Sequence, residues 1–377
     1  MKILHIVSGD SRGGAALGAS ALHDALCDAG CDSTIVFDKL AGPRDTYLEL
    51  DWVSRIKLIV NRIMAKAHSY VVRNSFDLLS LPCGLQVHRR VISKQKPDIV
   101  HIHWISRSGP LAQYQGDFKT VITARDMWWA TGGCHYSLEC KRYIENCDKC
   151  PGFTRPRNLG KYKLEKKIFA NKFGIFPISQ WLANELTSAG LRNVAHIPNS
   201  VYFDRKIEMP KILPVSGDFI FIPSGNLASK YKGLERLYQL IKDNPESKFV
   251  FAGAGILPRS LADLQNVRTL GLITRPQLNW FYKNAALVLI PSVQEAFGKT
   301  VVEALMLTSK VITSRGTAPF EIIHQTISPS RKIVALEDLL QGKLSLQEAS
   351  ESLGAACHNL EGFTPERVAE KYIKAYS

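Results

Sequence analysis

Short apolar strands alternate with amphipathic helices along this sequence, and the series runs twice. Residues 3–7 read as a buried strand, 15–29 have helical periodicity, and 33–37 are a strand again. Residues 99–103, 119–123, 173–178 and 194–197 continue as strands. Residues 202–216 are polar, hold Pro210 and Pro214, keep no period and read as a linker. The pattern then restarts, with strands at 219–223, 248–252, 268–270, 287–291 and 310–313. Helices are expected at 234–243, 277–284 and around 301–307, and residues 365–377 read as a closing helix. Such alternation implies βαβ units and parallel sheets. The expected fold class is α/β, with two doubly wound Rossmann-like halves whose strand ends could face one cleft, where such sheets bind ligands. The expected boundaries are 1–203, 204–364 and the helix 365–377, which could cross back to the first half.

A chain of 377 residues suits two domains. With 45% apolar and 22% charged residues, disordered and fibrous classes drop out. No run reaches the roughly 18–20 apolar residues of a membrane-spanning helix. After the first strand come Asp10, Arg12 and a glycine pair instead of a signal-peptide cleavage site, so a cytoplasmic protein with reduced cysteines is expected. The net charge of +14 is uneven. Residues 1–200 hold 27 Lys and Arg against 17 Asp and Glu, while residues 201–377 hold 21 against 17.

Residues 287–307 carry the most chemistry. A buried strand ends at Pro291-Ser292, a loop carries Glu295, and Phe297-Gly298-Lys299-Thr300 turns into a helix bearing Glu303. Unpaired backbone N–H groups at a helix start favour a phosphate. Glu295 would then face what hangs from the phosphate, and Glu303 could accept hydrogen bonds from a diol such as a ribose. Exposed acids on a helix would explain two glutamates at any spacing, but not the aromatic–glycine turn.

Strand, Pro-Ser, Glu-x-Phe-Gly and a second Glu eight positions on resembles the donor-site signature of retaining GT-B glycosyltransferases of family 4. Further segments are similar in the same order: Gly13-Gly14 after the first strand, Ile197-Pro198-Asn199-Ser200 before the linker, Ser224-Gly225-Asn226 to Lys232-Gly233, and Gly271-Leu272-Ile273. The resemblance implies transfer of a sugar from a nucleotide-sugar donor, UDP-linked before GDP-linked, with retention at the anomeric carbon. It implies that Lys232, with Lys230 as a second charge, meets the donor diphosphate, that Glu295 holds the sugar, and that Glu303 holds the ribose. Gly13, Gly14, Asn199, Ile273, Phe297, Gly298, Lys299 and Thr300 complete the implied donor site. Asn226 stands where relatives carry an Arg. No catalytic metal is implied, since protein cations serve the diphosphate and no Asp-x-Asp pair is present.

In the first half, His103 ends a strand, and Arg125-Asp126 stands where relatives usually have His-Asp. Arg125 could grip a phosphate with two nitrogens but is no acid or base near neutral pH. That fits a front-face route, in which the leaving phosphate takes the acceptor's proton. Glu295, Arg125, Asp126 and His103 are the catalytic candidates.

Cys134, Cys140, Cys147 and Cys150 crowd into residues 131–152. Cys-x-x-Cys is a common zinc half-site, and four thiolates satisfy a closed tetrahedral zinc. Reduced thiols and two disulfides stay open as alternatives. The run resembles an insertion in colanic-acid, exopolysaccharide and O-antigen glycosyltransferases, which implies a glycan or lipid-diphosphate acceptor in surface polysaccharide or lipopolysaccharide synthesis. Cys27, Cys31, Cys83 and Cys357 read as small core residues. Residues 55–73 form a basic amphipathic helix suited to an anionic inner-membrane surface, and residues 155–172 add a second basic patch. An ordinary solvated helix is the plainer reading. A nucleotide-sugar 2-epimerase on the same scaffold is the rival enzyme. A zinc-bearing, basic nucleic-acid-binding protein is the rival of another class, though no recognition helix accompanies the basic residues, and no nucleic acid is expected as a partner.

Overall fold

The computed structural model describes the chain outside residues 12, 40–44, 70–78, 106–107, 152–158, 203, 211–217, 329–330, 332 and 355–357. It divides into two compact units, Met1–Ser200 with Phe363–Ser377, and Val201–Gly362.

In the first unit, β1 (Lys2–Asp10), α1 (Gly14–Asp28), β2 (Asp32–Lys39) and β3 (Tyr47–Glu49) are followed by α2 (Trp52–Ser69) and α3 (Arg89–Gln95). Then come β4 (Ile99–Trp104), β5 (Lys119–Ala124), α4 (Gly160–Ala170), β6 (Gly174–Pro177) and α5 (Gln180–Ser188). Among the described residues the strands run β3-β2-β1-β4-β5-β6, and every pairing is parallel. The chain winds outward from β1 and returns to β4 on its other side, so the switch point lies between β1 and β4. Ile3, Leu4, Ile6, Val36, Val100 and Ile102 are fully buried, the apolar run of a sheet covered on both faces.

The expected strand at 194–197 is an extended edge segment with a single bridge, Val194 to Ile175. Ile197 N–H still donates to Pro177 O at 3.2 Å, but Pro198 has no N–H to continue the ladder.

In the second unit, β7 (Ile220–Asn226), α6 (Tyr238–Asp243), β8 (Phe249–Ala254), α7 (Arg259–Ala262), β9 (Val267–Thr269) and α8 (Arg275–Asn284) come first. They are followed by β10 (Leu287–Ile290), α9 (Lys299–Leu305), β11 (Val311–Thr313), α10 (Ala318–Thr326), α11 (Leu336–Leu340) and α12 (Leu346–Leu353). Its parallel sheet runs β11-β10-β7-β8-β9, with the switch point between β10 and β7. The helix expected at 234–243 begins as a 3₁₀ turn, Leu234–Leu237, before α6. The start of the expected linker is pinned to its own unit. The buried Asn279 donates to the carbonyls of Asp204 and Lys206 at 2.8 Å each, and Glu208 N–H donates to Pro276 O at 3.0 Å.

Helix α13 (Pro365–Tyr376) belongs to the first unit. Val368, Ala369, Tyr372 and Tyr376 join Ile3, Leu22, Leu26, Ile99 and Val121 in one apolar cluster. Tyr376 Oη lies 2.6 Å from His101 Nδ1, and Tyr372 Oη lies 2.6 Å from Thr123 Oγ1.

Two helices differ from ordinary amphipathic ones. In α2, Trp52, Ile56, Ile59 and Ile63 stay exposed beside exposed Arg55 and Arg62. Residues 70–73 of the expected basic helix lie outside the described residues. In α4, Leu164 and Ile168 are more than half exposed, while Lys163 and Lys166 are buried. The expected basic patch at 155–172 is therefore corrected over its described part: those two lysines face inward, and 155–158 lie outside the described residues. Cys27, Cys31 and Cys83 are partly buried, and Cys357 is outside the description.

Candidate functional site

In the second unit the loops leaving β7 and β10 meet at the switch point. Gly233 makes the approach feasible: its φ is +65°, and a Cβ there would lie 2.3 Å from Pro291 O. Val293 N–H donates to Tyr231 O at 2.9 Å, locking the two loops together. The result is an ion pair, Lys232 Nζ to Glu295 Oε2 at 2.9 Å, with Ser292 Oγ donating to the same oxygen at 2.9 Å. Burial alone would pull the Lys232 ammonium down, but Glu295 and Tyr231 beside it outweigh burial and raise it. Lys230 is exposed on the same turn. Asn226 turns its Oδ1 to Ala228 N–H at 2.9 Å and shapes the loop.

Glu303 sits in α9, buried to 6% exposure. Arg275 Nη1 is 2.5 Å from its Oε2 and Lys299 Nζ is 3.6 Å from its Oε1. Burial lowers the Lys299 ammonium, while Glu303 outweighs burial at Arg275 and raises the guanidinium. Gly298 caps α9 with left-handed backbone, Phe297 is buried, and Thr300 and Ile273 are partly exposed. Arg275 was absent from the sequence expectations, and so was Arg236, which binds Ser314 Oγ at 2.7 Å and Glu337 at 2.8 Å. Their only local signal is charge. Nothing in the intervening residues ties Arg275 to Glu303.

In the first unit, Gly13 and Gly14 stand exposed at the start of α1, and a Cβ on Gly14 would meet nothing within 4 Å. Arg125, Asn199 and His103 come together below that helix. Arg125 Nη1 donates to Asn199 Oδ1 at 2.8 Å and Nη2 donates to His103 Nδ1 at 3.0 Å. A guanidinium has no acceptor, so His103 must carry its proton on Nε2. That nitrogen lies 2.8 Å from His5 Nδ1, which is thereby the acceptor, and leaves the His5 proton on Nε2. His5 Nε2 and Arg125 Nε are buried and find no partner among the described residues. Burial, with Arg125 nearby, holds His5, His101 and His103 well below the usual imidazole range and keeps them neutral. Burial also lowers Arg125, to about 10. The three rings offer ligand atoms within 4.8 Å of one another, the spacing of a metal group. A cation there would sit beside Arg125 and would have to break the His5–His103 bond, so the cluster reads as a support for Arg125.

Asp126 faces elsewhere. It accepts from Trp128 N–H at 2.9 Å and Trp104 Nε1 at 3.0 Å, and pairs with His135 Nδ1 at 2.6 Å. Burial pushes its carboxyl up, but His135 and these donors outweigh burial and hold it low. Its carboxylate thus anchors the cysteine-rich loop.

In that loop Cys134, Cys147 and Cys150 are buried and Cys140 is partly so. All four line one cavity with Thr131, Gly132 and Tyr143.

Residues 204–354 match the family described as Glycosyl transferases group 1. Over 136 residues the chain is 29% identical to an uncharacterized glycosyltransferase of Methanocaldococcus jannaschii, covering 33% of this chain and 35% of that protein. The chain thus spans about a third of the length of the curated relative it matches. HepE of Anabaena, solved with UDP and glucose, aligns at 14% identity and a TM-score of 0.63, covering 99% of this chain and 98% of HepE. WaaG, a glycosyltransferase involved in lipopolysaccharide biosynthesis, aligns at 13% identity and a TM-score of 0.60, covering 98% and 94%. At such identities the likeness is one of fold.

Proposed function

For a chain that has the GT-B fold and whose residues 204–354 match the glycosyl transferases group 1 family, we propose retaining transfer of a sugar from a nucleotide-sugar donor, UDP-linked before GDP-linked. The acceptor is a glycan or lipid-linked glycan of surface polysaccharide synthesis. The observation that carries this reading is the Lys232–Glu295 pair, held at 2.9 Å beside the ends of β7 and β10 within the matched family region. Lys232 is a partly buried cation that a donor diphosphate can recruit. In the reaction the bond from the anomeric carbon to the leaving phosphate oxygen breaks, and the acceptor oxygen bonds to that carbon. Its proton passes to the leaving phosphate, and Lys232 stabilises the charge that develops there. Glu295, released from Lys232, accepts from the sugar's hydroxyls, and Glu303 from the ribose. Lys299, Thr300, Phe297, Gly298 and Ile273 line the donor. Asn199 and His103 act through Arg125, whose fixed charge serves a phosphate, and Asp126 acts through the loop it anchors. HepE's UDP and glucose support the uridine reading.

The exposed stripe Trp52, Ile56, Ile59 and Ile63, flanked by Arg55 and Arg62, supports a lipid-linked acceptor taken at an anionic membrane surface. Among the described residues no helix is long and apolar enough to cross a membrane.

The test is nucleotide release from a panel of UDP- and GDP-sugars, with and without a lipid-diphosphate glycan. Acceptor-dependent release from a UDP-sugar with an α-to-α product is expected. An epimerised donor in the absence of acceptor would assign the rival activity instead.

A further inference from the structure

Helix α4 buries two lysines beside Phe169 and Ala170 and leaves two of its large apolar side chains in water. Leu164 is 57% and Ile168 56% exposed, whereas Lys163 is 6% exposed and Lys166 not at all. Burying ammonium groups while leaving leucine and isoleucine in water runs against transfer free energy twice over. Local acceptors account for part of the offset. Lys166 Nζ donates to Trp128 O at 2.5 Å and lies 4.0 Å from the Trp128 ring centroid, and Lys163 donates to Glu145 O. Carbonyls and a ring do not neutralise two charges. Besides them the lysines face sulfur and carboxylates: Lys166 acts electrostatically with Cys134 and Cys147 first and then with Asp126 and Glu165, and Lys163 with Cys147 first and then with Glu145.

The loop is built to bring those sulfurs together. Gly132 N–H donates to Cys147 Sγ at 3.2 Å. A Cβ on Gly132 would lie 2.5 Å from Leu159 Cβ and 3.2 Å from Cys147 Cβ, so only glycine lets the two strands of the loop close. Thr131 Oγ1 donates to Cys134 O at 2.6 Å, Ser80 N–H donates to Gly133 O at 2.9 Å, and the thiols of Cys134 and Cys150 are hydrogen-bonded. We propose that Cys134, Cys140, Cys147 and Cys150 bind one zinc ion as a closed thiolate centre, with the ammonium groups of Lys163 and Lys166 as its counter-charges. Binding displaces four thiol protons to solvent and leaves a centre of charge −2, which the two lysines balance. Zinc–sulfur bonds of about 2.3 Å set the sulfurs about 3.8 Å apart. Among the described residues no three of these sulfurs lie within 4.8 Å of one another, so the ion must draw the loop inward. The centre is separate from the glycosyl-transfer reading and stands or falls without it.

The experiment is elemental analysis of protein purified without chelator, followed by cobalt substitution of the metal-free reduced protein. About one zinc per chain is expected, and cobalt should give the intense visible absorption of tetrahedral thiolate ligation. Cys140→Ser, at the least buried ligand, should fold and lower zinc affinity. Cys83→Ser, outside the loop, should leave metal content unchanged. Lys166→Met, which keeps the buried length, should weaken zinc about 10–100-fold, as loss of a supporting group around a metal does. Four free thiols in the loop with no zinc uptake, or two disulfides after isolation under inert gas, would overturn the proposal.

Discussion

Lys232 and Glu295 occupy each other: the ammonium that a diphosphate would need is bonded at 2.9 Å to the carboxylate that a sugar would need. A donor must therefore separate the pair, and each half then gains a partner of its own. Lys232→Ala should weaken nucleoside diphosphate far more than nucleoside, by about 1–3 kcal/mol for a lost charged hydrogen bond. Glu295→Ala should chiefly lower kcat, and it should tighten free diphosphate because Lys232 is released. Calorimetry with UDP and uridine separates these outcomes. Equal losses for both ligands would remove Lys232 from the diphosphate site.

Glu303 is held by Arg275 and Lys299, two cations for one acid. Glu303→Gln should weaken donor binding by about 1–3 kcal/mol with a smaller change in kcat. If the ribose is its partner, a 2′,3′-dideoxy nucleotide should bind wild type and variant alike. A full-sized difference with that analogue would move Glu303 away from the ribose.

Acid should loosen the first unit. His5, His101 and His103 stay neutral in the fold, with values depressed below the ordinary 6.5. The unfolded chain takes up these protons below that pH and the folded one does not, so stability is lost as pH falls. The slope approaches about 1.4 kcal/mol per pH unit for each histidine. Denaturation midpoints at pH 7.5, 6 and 5 should show the first unit melting earlier at each step. His101→Phe should flatten the slope.

Gly18 lies in α1 over Arg125. A Cβ there would sit 2.5 Å from both Arg125 Nη1 and Asn199 Oδ1. Gly18→Ala should improve helix propensity yet cost about 1–3 kcal/mol by overpacking, and should cut turnover by displacing Arg125. A variant more stable than wild type with full activity would show that the Arg125 side chain moves freely.

The stripe on α2 can be tested without touching any packed residue. Ile59→Glu and Ile63→Glu lie at more than half-exposed positions. They should leave the melting temperature unchanged and reduce co-sedimentation with anionic vesicles, while neutral vesicles bind neither protein. Equal sedimentation of variant and wild type would detach α2 from the membrane reading.

Strand positions were legible because buried parallel strands are nearly continuously apolar, as 287–291 is throughout and 3–7 is apart from His5. The loop carrying Glu295 and the helix carrying Glu303 were legible from local spacing. What surrounds those acids was not. Arg275 reaches Glu303, and Arg236 reaches Glu337, across loops whose conformation the packing decides. Asn199 looked like a donor contact from its motif, yet its amide holds Arg125. The inward turn of Lys163 and Lys166 was hidden for another reason. Hydrophobic period points at Leu164 and Ile168, and the helix is rotated against its own pattern by what it faces.

Tyr372 and Tyr376 bond to Thr123 and His101 and fill the core beside β1 and β4. During synthesis, therefore, the unit that is translated first is completed last. The stretch Val201–Gly362 is continuous and can finish folding as it emerges. The earlier strands must wait, with the face that α13 covers still open, until residues 365–376 have left the ribosome. Ribosome-bound chains stopped before residue 365 should expose that face to proteases and chaperones, and chains long enough for residues 365–376 to clear the ribosome should close it.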